Sequence, residues 1–296
     1  MNRREFVAAT AGAALTPPPT SQFIKSICAV IFPHEMPYAE CFVEARNAGF
    51  DGVEIQLSRE ITLDSTPDQV KRIGDAARKA GVTIASMWVQ WLGQTPINSP
   101  DPEVRARGVE AIKKAIEFAG YAGCGALLLV PGRLGAGARF DVGYQTTWER
   151  FTAELKKCVP FAEKGKVILT PENVWNKFLV SPLEMRAFVD QFASPWLQTH
   201  FDIGNVMQFG YPQDWILTLG PRIKRIHVKD YKLSARAEQG RFVDLLEGDV
   251  NFKEVMAALV KVGYRGFLSP EIGHDPSDPE KLKKVSLALD KILAMA

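Results

Sequence analysis

The chain reads as an α/β protein, a single (β/α)8 TIM barrel, and three observations carry that expectation. Short β-branched or apolar runs alternate with segments of 3.6-residue periodicity from about residue 23 onward. There are eight such runs, which is the arithmetic of a closed parallel barrel. No Gly-rich phosphate-cradling turn follows the first run, where Phe32-Pro33-His34-Glu35 stands instead, and this disfavours a doubly wound sheet.

In chain order the expected strands are Ser26–Phe32, Gly52–Leu57, Thr83–Val89, Ala126–Pro131, Val167–Asn173, Gln198–Gly204, Ile223–Asp230 and Gly266–Gly273. Helical patterns fill the gaps. After Pro102, the residues Val104, Ile112, Ala115, Ile116 and Ala119 share one face, while Arg105, Lys113, Lys114 and Glu117 face outward. The last helix repeats the spacing with Leu282, Val285, Leu289 and Ile292. Ser181-Pro182 and Asp278-Pro279 are start signals, and Ala80-Gly81 and Val262-Gly263 supply the positive-φ residue that closes a helix. The one long connection, residues 231–250 after the seventh strand, is rich in charge and glycine and reads as a lid at the C-terminal face.

Composition narrows the function. With 36 basic and 34 acidic residues interspersed along the chain, no basic stripe marks a nucleic-acid binder. No run approaches the roughly 18 apolar residues of a membrane span. The cysteines Cys28, Cys41, Cys124 and Cys158 lack zinc spacing and read as buried free thiols. Residues 1–20 stand apart: Arg3-Arg4-Glu5-Phe6, the short apolar stretch Val7 to Leu15 and the small residues Ala11-Gly12-Ala13 resemble a twin-arginine export signal, so a periplasmic or exported protein is expected, with a cytoplasmic one as the alternative. Residues 21–296 then form the catalytic barrel.

Catalytic groups of such barrels sit at the C-terminal strand ends. Strands five to eight end with Glu172, Asp202, His227 and Glu271, and side-chain alternation lets all four point inward. Three converging carboxylates repel one another unless a cation lies between them. An oxygen-rich O3N donor set suits one divalent ion, Mn²⁺ first, with Mg²⁺, Co²⁺ or Zn²⁺ as alternatives, and it differs from thiolate-rich structural zinc.

The segments Thr170-Pro171-Glu172-Asn173-Val174-Trp175-Asn176, Phe201-Asp202-Ile203-Gly204-Asn205, His227-Val228-Lys229-Asp230, Leu246-Glu247-Gly248-Asp249-Val250-Asn251-Phe252 and Ser269-Pro270-Glu271, in this order, resemble the sugar phosphate isomerase/epimerase family, xylose isomerase-like barrels that include the ketose 3-epimerases. The resemblance implies that Glu172, Asp202, His227 and Glu271 hold one divalent metal, and that Glu172 and Glu271 are also the catalytic acid and base. A proton next to the carbonyl would be removed on one face of the sugar and returned on the other, through a metal-stabilised enediolate. The chain departs from the free-ketose members where they read substrate. Asn205 stands where they carry a histidine, Phe178 where they carry a second glutamate, and Leu233 where they carry an arginine.

The further candidates for substrate contact are His34, Trp175, Asn205 and Lys229, with Trp88 and Trp91 as additional walls. Lys229 shares the inward parity of His227 and is read either as a substrate ligand or as a salt bridge to a rim acid. Glu54 and Gln56 share a face of strand two, as a polar layer of the barrel floor or as substrate contacts, and His200 and His274 receive no role. The expected function is a metal-dependent sugar isomerase or epimerase with a small sugar or keto-sugar as partner and the homo-oligomeric state open. A lyase or epimerase on 3-keto-glycosides is the alternative. An abasic-site endonuclease is remote, because that chemistry needs about three metals and many histidines, and the chain has four.

Overall fold

Residues 22–132, 134–136, 139–234 and 240–296 are described in the computed structural model, so the expected export signal lies outside the described residues. Eight parallel strands follow in chain order: β1 (Phe23–Cys28), β2 (Gly52–Gln56), β3 (Thr83–Trp88), β4 (Ala126–Leu129), β5 (Ile168–Pro171), β6 (Thr199–Asp202), β7 (Ile223–Val228) and β8 (Gly266–Pro270). They form one sheet in the order β5-β4-β3-β2-β1-β8-β7-β6. The bridges Leu169 to Leu197 and Glu172 to His200 bring its two edges together. The expected barrel is thus present.

Eight helices alternate with the strands: α1 (Tyr38–Asn47), α2 (Pro67–Ala80), α3 (Pro102–Ala122), α4 (Tyr144–Gly165), α5 (Pro182–Asp190), α6 (Pro212–Leu219), α7 (Phe252–Lys261) and α8 (Lys281–Leu293). Their starts follow from local chemistry. Thr66 and Gln69 form a reciprocal capping box ahead of Pro67, and the side chains of Asp101 and Ser181 cap α3 and α5. Gly81 and Gly123 close α2 and α3 in the left-handed conformation. Inward faces such as Ile112, Ala115, Ile116 and Ala119 of α3 are buried against the sheet, as the spacing predicts.

All eight strands end one to four residues before the expected runs do, and the first strand and the last helix also start elsewhere. The first strand begins earlier and ends at Cys28, and Ala29–Ile31 turns into a 3-10 helix. Pairing decides this: Phe23, Ile24 and Lys25 find partners in Gly266, Phe267 and Leu268, so the ladder starts three residues before the expected run. His34 is therefore six residues past the strand end and exposed. The last helix starts at Lys281, beyond Asp278-Pro279. The connection after β7 contains an antiparallel hairpin, Asp230–Lys232 against Arg241–Val243.

The barrel interior is layered along β7, where Arg225, His227 and, one residue past the strand end, Lys229 follow the same parity. Arg225 plugs the floor by donating to the Ala85 carbonyl across the barrel. His227 occupies the middle, and Lys229 reaches the mouth.

Candidate metal centre and active site

Backbone pairing places the candidate ligands. His227 is the register partner of Asp202 on β6 and of Ser269 on β8. Glu172 bridges to His200 at the end of β5, and the amide of Glu271 donates to the Val228 carbonyl. Donor atoms of Glu172, Asp202, His227 and Glu271 consequently lie within 4.8 Å of one another. His227 Nδ1 is 3.0 Å from Glu172 Oε1, 3.1 Å from Glu271 Oε2 and 3.8 Å from Asp202 Oδ2.

Lys229 sits on the same carboxylates, its Nζ 2.9 Å from Asp202 Oδ2 and 2.5 Å from Glu271 Oε2. Of its two sequence readings, the salt bridge to rim acids is the one formed. Gly204 makes this approach feasible: a Cβ there would lie 2.5 Å from Lys229 Cβ.

The electrostatics of the two glutamates diverge. Burial pushes the Glu172 carboxyl above the usual carboxylate range, against the pull of His227. Burial acts on Glu271 in the same sense, but the neighbouring His227 and Lys229 cations hold it below that range. Burial disfavours charge on His227, yet the carboxylates around it, Glu54 foremost, raise it well above its ordinary value. A pair of carboxyls driven apart in this way suits acid and base roles at one carbon.

The residues fit a divalent ion. Asp202 Oδ2 is buried and accepts no geometrically sound hydrogen bond among the described residues. Four carboxylates, Glu54 included, face one imidazole and one ammonium, a surplus of acid that burial makes costly and a divalent cation offsets. Three oxygens and one imidazole nitrogen are the donor types that Mn²⁺ or Mg²⁺ accepts.

Asp202 is held by an amide network. Asn173 Nδ2 donates to the Asp202 carbonyl, the Asp202 amide donates back to Asn173 Oδ1, and the Asn205 amide donates to Asp202 Oδ1, at 2.8 Å each. The side-chain amide of Asn205 donates to the Asn173 carbonyl, so its N–H is committed to the fold. Asn173 is a supporting residue that sequence reasoning misses, its position one residue past Glu172 being the available signal.

At the mouth, Trp175 is half exposed and donates its indole N–H to the Asn205 carbonyl. It stacks on Phe242 of the hairpin at 5.0 Å, while Tyr231 meets both rings edge-on. Lys229, Phe242, Val243, Asp244 and Glu271 line a cleft of about 320 Å³ beside the ligand cluster. The expected lid is thus a hairpin that walls the site. Its position is clamped by Asp230, which accepts from the amides of Gly248 and Val250.

Other candidates fall elsewhere. No hydrogen bond or ion pair joins the exposed His34 to the cluster among the described residues. Trp88 lines a separate apolar cavity of about 340 Å³ with Val89, Pro131 and Asn176, and Trp91 packs edge-on against Phe118. Phe178 is fully buried among Tyr144, Trp148, Phe151 and Phe188, so the position where the free-ketose enzymes carry a glutamate here serves the aromatic core. All four cysteines are buried and free. Two inward residues gain a place that their sequence positions did not reveal: His200 packs against the His227 ring at 4.1 Å, and Glu54 reaches its far nitrogen.

Residues 42–292 match the xylose isomerase-like TIM barrel family. The chain belongs to that family. Within it, the chain is 31% identical over 255 residues to an L-ribulose-5-phosphate 3-epimerase UlaE of Escherichia coli O1:K1, covering 82% of this chain and 86% of the relative. It is 30% identical, with the same coverage, to the enzyme of that name from Salmonella paratyphi C. The fold is similar to that of a D-psicose 3-epimerase studied in the presence of D-fructose, with a TM-score of 0.76 at 16% identity over 92% of this chain and 100% of the other. It is also similar to that of an L-ribulose 3-epimerase, with a TM-score of 0.71 at 20% identity over 91% and 94%. As in TIM barrels generally, the polar groups of the cluster gather at the C-terminal strand ends. No helix among the described residues is long and apolar enough to cross a membrane.

Proposed function

We propose that this protein is a divalent-metal-dependent sugar isomerase or epimerase, with inversion of a ketose carbon next to its carbonyl as the leading reaction. The observation that carries the reading is the gathering of Glu172, Asp202, His227 and Glu271 within 4.8 Å beside an open cleft. Family membership and the curated 3-epimerase relatives support it. These four residues would hold the ion, Mn²⁺ being our first choice. A divalent cation bound there supplies stabilisation of the negative charge that builds on the substrate oxygens.

The chain's own groups then perform the proton transfers. One of Glu172 and Glu271 takes the proton from the carbon beside the carbonyl, and the electron pair of that C–H bond moves toward the carbonyl oxygen. The other glutamate delivers a proton to the opposite face, which inverts the carbon. Lys229, held against Asp202 and Glu271, adds a fixed positive charge at the mouth. Trp175 and Phe242 offer a flat wall for the C–H face of a sugar. In this reading Asn205 acts on substrate indirectly, its amide holding Asp202 at the end of β6 and its carbonyl accepting from Trp175 of the β5–α5 connection, and His34 would contact only a substrate extending toward the β1–α1 loop. Residues 1–20 are proposed to direct export, which fractionation of cells expressing the full chain would test.

The deciding experiment is incubation of the metal-loaded protein in D2O with free ketoses, ketose phosphates and 3-keto-glycosides, followed by NMR. Deuterium gained at the carbon next to the carbonyl with inversion supports epimerisation. Loss of a neighbouring leaving group would establish the lyase instead, and absence of exchange with every compound would overturn both. An endonuclease reading has little to stand on: His200 and His227 face the centre, while His34 is exposed and His274 bonds the Ile31 carbonyl.

A further inference from the structure

We infer that Glu54 is a positioning residue for the metal centre: it holds the His227 ring so that Nδ1 would present its lone pair to an ion bound among Glu172, Asp202 and Glu271. The inference rests on the metal reading above. Glu54 belongs to β2 and is not among the four proposed ligands. Its Oε1 lies 2.9 Å from His227 Nε2, on the side of the ring away from the other three carboxylates.

A neutral imidazole carries one N–H and one lone pair, and an ionised carboxylate can only accept. With a divalent ion bound among Glu172, Asp202 and Glu271, the Nδ1 side can carry no proton, and Glu54 facing Nε2 accepts the one remaining N–H and keeps Nδ1 as the donor atom to the ion. A metal-bound histidine usually donates its other N–H in this way, and the outer partner fixes both tautomer and ring orientation. Glu54 is itself over-determined. Ser86 donates its hydroxyl to Oε2, and the Cys28 thiol lies 3.5 Å from Oε1. These contacts come from β1 and β3, on either side of β2, and the residue is 2% exposed, so the carboxylate cannot turn away to water. The face of the ring is fixed by His200, at 4.1 Å and 61°. A carboxylate buried this deeply with no role toward His227 would carry a desolvation cost for nothing.

The test compares the full-length wild type with Glu54→Gln and Ser86→Ala. Gln keeps the size of the side chain but can turn an N–H₂ toward Nε2, which favours the other tautomer. Mn²⁺ affinity, measured by competition with a fluorescent chelator, is expected to fall roughly 10- to 100-fold in Glu54→Gln, and less but in the same direction in Ser86→Ala. In ¹⁵N-histidine-labelled protein loaded with diamagnetic Mg²⁺, the wild-type His227 ring is expected to show Nε2–H, and Glu54→Gln a changed ring pattern. Circular dichroism monitors folding, and if Glu54→Gln does not fold, Ser86→Ala decides. Equal Mn²⁺ affinity with an unchanged ring signature overturns the positioning role while leaving the metal reading intact. A wild type binding two ions, one of them lost in Glu54→Gln, also overturns it, since Glu54 would then be a ligand. A wild type that binds no divalent ion sinks the metal reading and this role with it.

Discussion

Asp202 and His227 are direct partners across the β6–β7 ladder, so two of the four proposed ligands are fixed relative to each other by backbone pairing rather than by side-chain packing. Their side chains emerge on the same face at adjacent strand ends, with Nδ1 and Oδ2 3.8 Å apart. Rigid strands hold such constellations more tightly than loops do. The consequences of this arrangement can be measured one residue at a time.

Removing a ligand charge should empty the centre without unfolding the barrel. Asp202→Asn keeps the shape of the side chain and the amide network around it, but loses the anionic oxygen next to His227. Metal content by elemental analysis is expected to drop, with affinity at least about tenfold weaker, because even outer partners of ligands cost that much. An Asp202→Asn protein that retains full metal would remove Asp202 from the ligand set.

The two-base reading makes a sharper statement about Glu172 and Glu271. Glu172→Gln and Glu271→Gln should each abolish deuterium exchange at the carbon next to the carbonyl, with turnover reduced on the order of 100- to 10,000-fold. Folding, followed by circular dichroism, should persist. Undiminished exchange in either variant would leave that residue without a proton-transfer role.

The aromatic wall predicts a binding effect separate from chemistry. Phe242 is partly exposed and stacks on Trp175, so Phe242→Ala removes sugar-facing area with little loss of core. A contact of about 1 kcal/mol corresponds to a KM raised roughly fivefold, with kcat nearly constant. Steady-state kinetics on the substrate found by NMR would check this, and an unchanged KM would place the sugar elsewhere.

Stability should be sensitive at Gly248. A Cβ at this position would lie 2.0 Å from Asp230 Oδ1, inside the clamp that ties residues 248–250 to the first residue of the hairpin. Gly248→Ala is expected to cost about 1–3 kcal/mol and lower the thermal midpoint by several degrees. A midpoint equal to wild type would mean that the loop relaxes freely.

Much of the site was legible along the chain because its signals are local. Glu172, Asp202, His227 and Glu271 each follow an apolar run of strand length, and inward parity can be counted within a single strand. Expectation failed where a distant partner decides. Local pattern puts the first strand late because its true start is set by pairing with Gly266, far along the chain, and His34 accordingly stands six rather than two residues past the strand end. Lys229 has two equal readings along the chain, and the contacts with Asp202 and Glu271 decide between them.

The sequence by itself determined the alternation of eight strands and helices and the polar strand ends, since periodicity, caps and turn residues act over a few positions. Only the tertiary structure decided which tips meet. Barrel closure carries Glu54 to within 2.9 Å of His227 across 173 residues, turns His200 under the same ring and lays Phe242 on Trp175. Such contacts depend on the stagger between strands and on the path of a hairpin, and neither quantity is written in the residues of any one segment.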